Sequence, residues 1–153
     1  MNKIIILMLC CLIAGCAQFG FYDSKPEGAV LVNQIRGAEP NDLEIQEIEF
    51  SSASLKEAVA NPGTARMRLV QITRAGGAQS LPEYRIFDVK PMSAPYLIGI
   101  RDADILVAAH GYAVFSPQQF GKYLGVLPYQ DNGSIEIRRE GKPMLFKIKV
   151  QKN

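Results

Sequence analysis

Residues 84–127 read YRIFDVKPMSAPYLIGIRDADILVAAHGYAVFSPQQFGKYLGVL, and the order of their apolar runs and turns decides the fold class. Strand-like runs are interrupted at Lys90-Pro91, at Ile100-Arg101-Asp102 and at His110-Gly111, each a turn signal. The stretch closes in a short helix whose start is fully specified. Ser116 is placed to cap it, Pro117 takes the first helical position where a missing N–H is harmless, and Gln119 completes a capping box toward the Ser116 N–H. Phe115 and Phe120 flank the cap at the spacing of a hydrophobic staple. Phe120, Tyr123, Leu124 and Leu127 recur at i, i+3, i+4 and i+7 and so share one face. Phe120 and Leu124 are expected in the core, and Tyr123, with its polar tip, at an edge.

Upstream, residues 66–73 hold Leu69, Val70 and Ile72 and read as the first strand of the domain. The strand ends at Arg74-Ala75-Gly76-Gly77, and residues 76–82 read as a hairpin loop, since neither phosphate-cradling glycine motif is present. Before it, Ser54-Leu55-Lys56-Glu57 has the form of a capping box, Leu55, Ala58 and Val59 make one apolar helical face, and Asn61-Pro62-Gly63 stops it. Residues 43–50 alternate imperfectly, carry Glu44, Glu47 and Glu49, and read as an exposed acidic segment. Downstream, Asp131-Asn132-Gly133 carries an Asn-Gly turn signal. Ile135 and Ile137, then Leu145 (or Met144 with Phe146), Ile148 and Val150, form two alternating runs joined by Glu140-Gly141-Lys142, a closing hairpin with Pro143 at its turn or edge.

With those motifs laid out, a resemblance emerges. Tyr84-Arg85-Ile86-Phe87-Asp88-Val89-Lys90-Pro91, then Gly99-Ile100-Arg101-Asp102-Ala103-Asp104-Ile105-Leu106-Val107-Ala108, then His110-Gly111 and the Ser116 helix, resemble a bacterial PDZ domain. More narrowly, they are similar to the C-terminal domain of the inner-membrane component C of the type II secretion system, and the helix around Leu55 resembles the one preceding that domain. The resemblance implies an α+β fold: a single PDZ-like domain over residues 43–153, a small, partly open antiparallel β-barrel or sandwich with two or three short helices. It also implies binding of an extended chain between a strand edge and a helix. The matching positions are Tyr84, Arg85, Ile86 and Phe87 on the strand and Phe120, Tyr123 and Leu124 on the helix, with Arg85 placed to attract an acidic or carboxylate end. Two positions depart from the family pattern. Ala103-Asp104 stands where many such domains have Gly-Asp, so a left-handed backbone there costs of order 1 kcal/mol. His110-Gly111 stands where Asn-Gly is frequent, an exchange that preserves a turn.

The start of the chain reads as a targeting device. Lys3 supplies a positive n-region, residues 4–14 are an unbroken apolar run, and Ile13-Ala14-Gly15-Cys16 has the form of a bacterial lipobox, giving a signal peptide over residues 1–15. The run is shorter than the roughly twenty residues needed to span a bilayer. Cys16 would then be the first mature residue, carrying diacylglycerol on its sulfur and an acyl chain on its amine, enough chains for lasting attachment. Ala17, not aspartate, follows it, which by lipoprotein sorting favours the outer membrane, periplasm-facing, with the inner membrane as the alternative. Residues 17–42, with Gly20, Pro26, Gly28, Gly37 and Pro40, read as a linker, although residues 29–32 have the makings of a short strand.

Composition bounds the chemistry. The chain has 153 residues, 48% of them hydrophobic, enough for one core, and a net charge of +2 with bases scattered among acids. That pattern gives no footprint for nucleic acid. Of three cysteines, Cys10 and Cys11 fall in the signal and Cys16 is lipidated, so no disulfide or thiolate metal site is expected. His110 is the sole histidine, no nucleophile motif accompanies it, and Asp102 and Asp104 read as loop acids satisfying backbone N–H groups rather than as metal ligands. No catalytic site and no cofactor are expected. The reading that follows is a lipid-anchored periplasmic adaptor that recognises a protein segment by strand addition, in or beside type II secretion. The alternative is a structural envelope-assembly lipoprotein whose groove is closed, and a hydrolase is the remote third.

Overall fold

A computed structural model of the chain describes residues 30–31, 41–72 and 82–152. The expected signal peptide, Cys16 and most of the expected linker lie outside the described residues. Strands β1 (Glu44–Ser51), β2 (Arg68–Ile72), β3 (Glu83–Phe87), β4 (Ile105–Ala109), β5 (Tyr112–Ala113), β6 (Asn132–Arg139) and β7 (Lys142–Gln151) form one sheet. Its order is β1-β7-β6-β4-β3-β2, with β5 paired to β4. Helices α1 (Ser52–Ala60), α2 (Pro62–Arg66), α3 (Ala94–Ile98) and α4 (Pro117–Val126) and a 3-10 turn (Leu127–Tyr129) complete the α+β domain.

All strand pairs are antiparallel except β1 with β7, which is parallel. The acidic stretch at residues 43–50 keeps Glu44, Glu47 and Glu49 exposed, as read from the sequence, and from Glu44 onward it is strand β1. Its register explains why: Glu47 lies opposite Lys147 and Glu49 opposite Lys149, so the acids of one strand face the bases of the other while Ile48 and Phe50 lean on the core. At the hairpin joining β6 and β7, Glu140 and Gly141 both have positive φ (51° and 86°), the two-residue turn whose twist matches the flanking strands. Met144, Phe146, Ile148 and Val150 point inward, which settles the two alternating patterns in favour of Met144 and Phe146.

Two local readings are corrected. The cap of α1 is Ser51, whose hydroxyl accepts the Ser54 N–H at 3.1 Å, three residues before the capping box the sequence suggests. Asn132 and Gly133 begin β6 instead of making a turn. Gly133 is there for space: a β-carbon on it would lie 2.3 Å from Leu127 Cδ1 and 2.6 Å from the Tyr123 hydroxyl. Part of the expected linker also joins the fold, since Leu31 bridges Tyr112 and the Ala113 N–H donates to the Val30 carbonyl at 2.9 Å.

The core runs from α1 through the sheet to α4, with Leu55, Ile86, Ile98, Ile100, Leu106, Phe120, Leu124, Leu127, Ile135, Ile137 and Phe146 all essentially without solvent contact. Asn61 serves twice, ending α1 and capping α2 by accepting the Gly63 N–H at 2.7 Å.

Candidate peptide-binding edge

The strand expected to receive a peptide, β3, has no open side. It pairs with β2 along its whole length and with β4 at Tyr84 and Arg85. Beyond that, the Ile86 N–H donates to the Asp104 carbonyl and the Ala103 N–H donates to the Ile86 carbonyl, both at 2.8 Å. The seam beside Ile86 is filled by the chain itself, so Tyr84, Arg85, Ile86 and Phe87 are corrected from an edge strand to an internal one. Tyr84 and Ile86 are buried, Phe87 is half-buried, and Arg85 alone is exposed. The Tyr84 hydroxyl donates to the Phe115 carbonyl at 2.6 Å, tying β3 to the segment that starts α4.

The helix face is likewise spent on the core. Ser116 caps α4 by accepting the Gln119 N–H at 3.2 Å, as its position suggests, and Gln119 Oε1 accepts from Phe115, one residue further back than a capping box requires. Phe120 and Leu124 are 0% and 1% exposed, so they offer no surface to a ligand. The Tyr123 hydroxyl donates to the Ser134 carbonyl at 3.1 Å and accepts the Ser134 N–H at 2.9 Å, pinning α4 to β6. Burial holds its phenol proton well above the ordinary tyrosine range, which suits a structural pin.

The loop that closes β3 is itself locked. Asp104 is almost wholly buried, accepts the Arg101 N–H at 2.8 Å, and takes Arg139 through Nε and Nη2 at 2.9 and 2.8 Å. Arg139 also donates to the Gly99 carbonyl at 2.7 Å, and its hydrogen bond to Asp104 raises its already high pKa. Asp102 accepts the Val89 N–H at 2.8 Å. Both aspartates are thus loop acids bonded to backbone N–H groups, and among the described residues no group of three or more histidine, cysteine or acidic side chains could hold a metal ion. Ala103 does adopt the left-handed conformation, φ 72°, and His110-Gly111 makes the β4–β5 turn at φ 52° and 77°.

The open backbone lies one strand over. Because Ile86 directs its N–H and carbonyl toward β4, its partner across β2 sits at a non-hydrogen-bonded position, and the alternation of an antiparallel pair carries this along the strand. Arg68, Val70 and Ile72 therefore bond to β3, while Leu69 and Gln71 turn their N–H and carbonyl groups to the outer side of β2. No described strand pairs there. Val70 is 46% exposed at the centre of this edge, and Leu69 packs partly against the core. Sequence reading placed the strand but not its role. No local signal marks that role: β2 is the last strand in the sheet order, and no described strand lies beyond it.

Comparison with known proteins gives the following. No protein-family model matches the sequence, and no curated protein does. The chain is similar to the PDZ domain of EpsC from Vibrio cholerae. Against a shorter piece of that domain the identity is 22% and the TM-score 0.36, covering 54% of this chain and 92% of the other. Against a longer piece the identity is 21% and the TM-score 0.38, covering 64% and 90%.

Proposed function

We propose that the chain is a lipid-anchored, periplasm-facing adaptor whose PDZ-like domain binds an extended protein segment by strand addition along the outer edge of β2, in or beside a type II secretion apparatus. The observation that carries this reading is an edge with no strand partner among the described residues: Leu69 and Gln71 direct paired donors and acceptors outward on either side of an exposed valine. Such an edge is a ready template for a further strand, with main-chain bonds giving affinity and side chains selecting the sequence. A few half-buried side chains set against the entropy of association make the contact weak on its own. Anchorage through Cys16 raises the local concentration at the membrane. The chain from Cys16 to Val30 is short, and at about 3.3–3.6 Å per residue it keeps the domain within roughly 50 Å of the anchored cysteine. The association with secretion and the outer membrane rest on the sequence resemblance and the lipobox.

One observation favours the second reading, a structural assembly lipoprotein: the helix face at Phe120 and Leu124 is closed. Titration of the labelled domain with a strand-forming peptide separates the two. Amide shifts that saturate at Leu69, Val70 and Gln71 are expected for the adaptor, and their absence supports the assembly role. In intact envelopes, a photoreactive residue at Val70 should crosslink a discrete protein partner, and Cys16→Ser should release the protein from the membrane fraction.

A further inference from the structure

The outer face of the β2–β3 hairpin, the face away from the core, carries Arg68, Val70 and Ile72 on β2 and Glu83, Arg85 and Phe87 on β3. Its charges are nearly all accounted for. Arg68 is held by Asp88, which Lys90 also approaches at 3.6 Å, and Arg138 from β6 is held by Glu83 at 2.6 Å. Glu83 has a further interaction as well. Arg85 is different. It is exposed, its side chain has no hydrogen bond or ion pair among the described residues, and it stands directly across the ladder from Val70 on one side and Ile105 on the other. The nearest acid on its own strand, Glu83, is engaged by Arg138, so among the described residues no carboxylate is bonded to its guanidinium.

Any strand added to β2 must pair with the outward groups of Leu69 and Gln71, which fixes one of its residues opposite Val70 with the side chain on this same outer face. From that residue to Arg85 is two strand spacings, about 9.5 Å at 4.7–4.9 Å each. An arginine and a glutamate extended toward each other over the small valine side chain span that gap, and the arginine stem covers the valine as it does so. Arg68 cannot compete for the same acid without giving up Asp88.

Resting on the strand-addition reading above, we infer that the segment accepted by β2 carries an acidic side chain at the position opposite Val70, where Arg85 selects it. Arg85 is then a specificity residue for an internal acidic position of the partner, not a receptor for a chain end.

The test uses the domain with three blocked nine-residue peptides of alternating threonine and valine, identical except for glutamate, glutamine or lysine at the centre. Binding is read from the amide shifts of Leu69, Val70 and Gln71. The glutamate peptide should bind about two- to five-fold tighter than the glutamine peptide, the range of a partly exposed ion pair, and the lysine peptide weakest. The preference should shrink in high salt, vanish in Arg85→Gln with glutamine-peptide binding unchanged, and invert toward lysine in Arg85→Glu. Equal binding of glutamate and glutamine peptides, with shifts still at the β2 edge, overturns the inference and leaves strand addition standing. A glutamate preference that survives in Arg85→Gln overturns it too, and transfers the role to another cation. If none of the peptides moves those amides, the strand-addition reading fails and the inference falls with it.

Discussion

The sheet ends in β1 on one side and β2 on the other, and the two strands finish it differently. Val150 donates to the Asp131 carbonyl, so Lys147 and Lys149 of β7 turn their main chain toward β1, which leaves the backbone of Ile45, Glu47 and Glu49 facing out. Two of those three positions are glutamates, one of them clasped by Lys149 at 3.0 Å and by Gln151. Charges on an edge deter a further strand. The edge of β2 presents Leu69 and Gln71 around an exposed valine instead. Geometry makes both edges available, and chemistry leaves only one inviting.

That contrast depends first on β3 staying closed, and the largest effect should come from opening it. Asp104→Ala removes the partner of Arg139 and the acceptor of the Arg101 N–H; it should cost about 3 kcal/mol in urea unfolding, the low end for a buried pair because Arg139 keeps part of its surface in water. If stability is unchanged, the Asp104–Arg139 lock does not hold the β3 seam shut.

Next, the alternation along β2 can be read with proline. At Val70 a proline removes a ladder donor, whereas at Gln71 it removes one that points outward. Val70→Pro should therefore be less stable than Gln71→Pro by about 1–3 kcal/mol, while Gln71→Pro abolishes peptide binding in a folded domain. The reverse order would mean that the pairing of β2 is offset by one residue.

A smaller change should make one edge resemble the other. Val70→Lys should alter stability by no more than about 0.5 kcal/mol, as surface substitutions do, yet remove strand addition. Retained binding would break the argument that charge separates the edges.

The smallest effect belongs to β1. The hydrogen bond and charge of Lys149 hold the Glu49 carboxyl below the usual carboxylate range. Its contribution is thus present above the pKa of the unfolded chain and fades as pH falls through the lower folded value. A carboxylate titration followed by NMR should show Glu49 protonating below the usual carboxylate range, and Lys149→Ala should return it toward the ordinary value.

How much of this was legible beforehand varies with distance along the chain. The α4 start was readable because Ser116, Pro117 and Gln119 act within one turn, and the Glu140-Gly141 and His110-Gly111 turns because two residues carry each. Misplaced were the features set by remote partners. Nothing local says that Glu47 and Glu49 face Lys147 and Lys149 a hundred residues later, nor that the Ile86 backbone is taken by Ala103 and Asp104. The α1 cap went astray because Ser51 and Ser54 are both credible caps in isolation.

By itself, then, the order of residues determined the helices that Leu55 and Ser116 belong to, the His110-Gly111 and Glu140-Gly141 turns and the alternating strands of the closing hairpin, since each depends on backbone preferences and side chains a few positions apart. Which strand lies at the end of the sheet was decided only when all the strands had paired. Every backbone N–H and carbonyl in the interior must find a partner, and the partners of β3 were supplied from both sides, leaving the donors and acceptors of β2 to face outward.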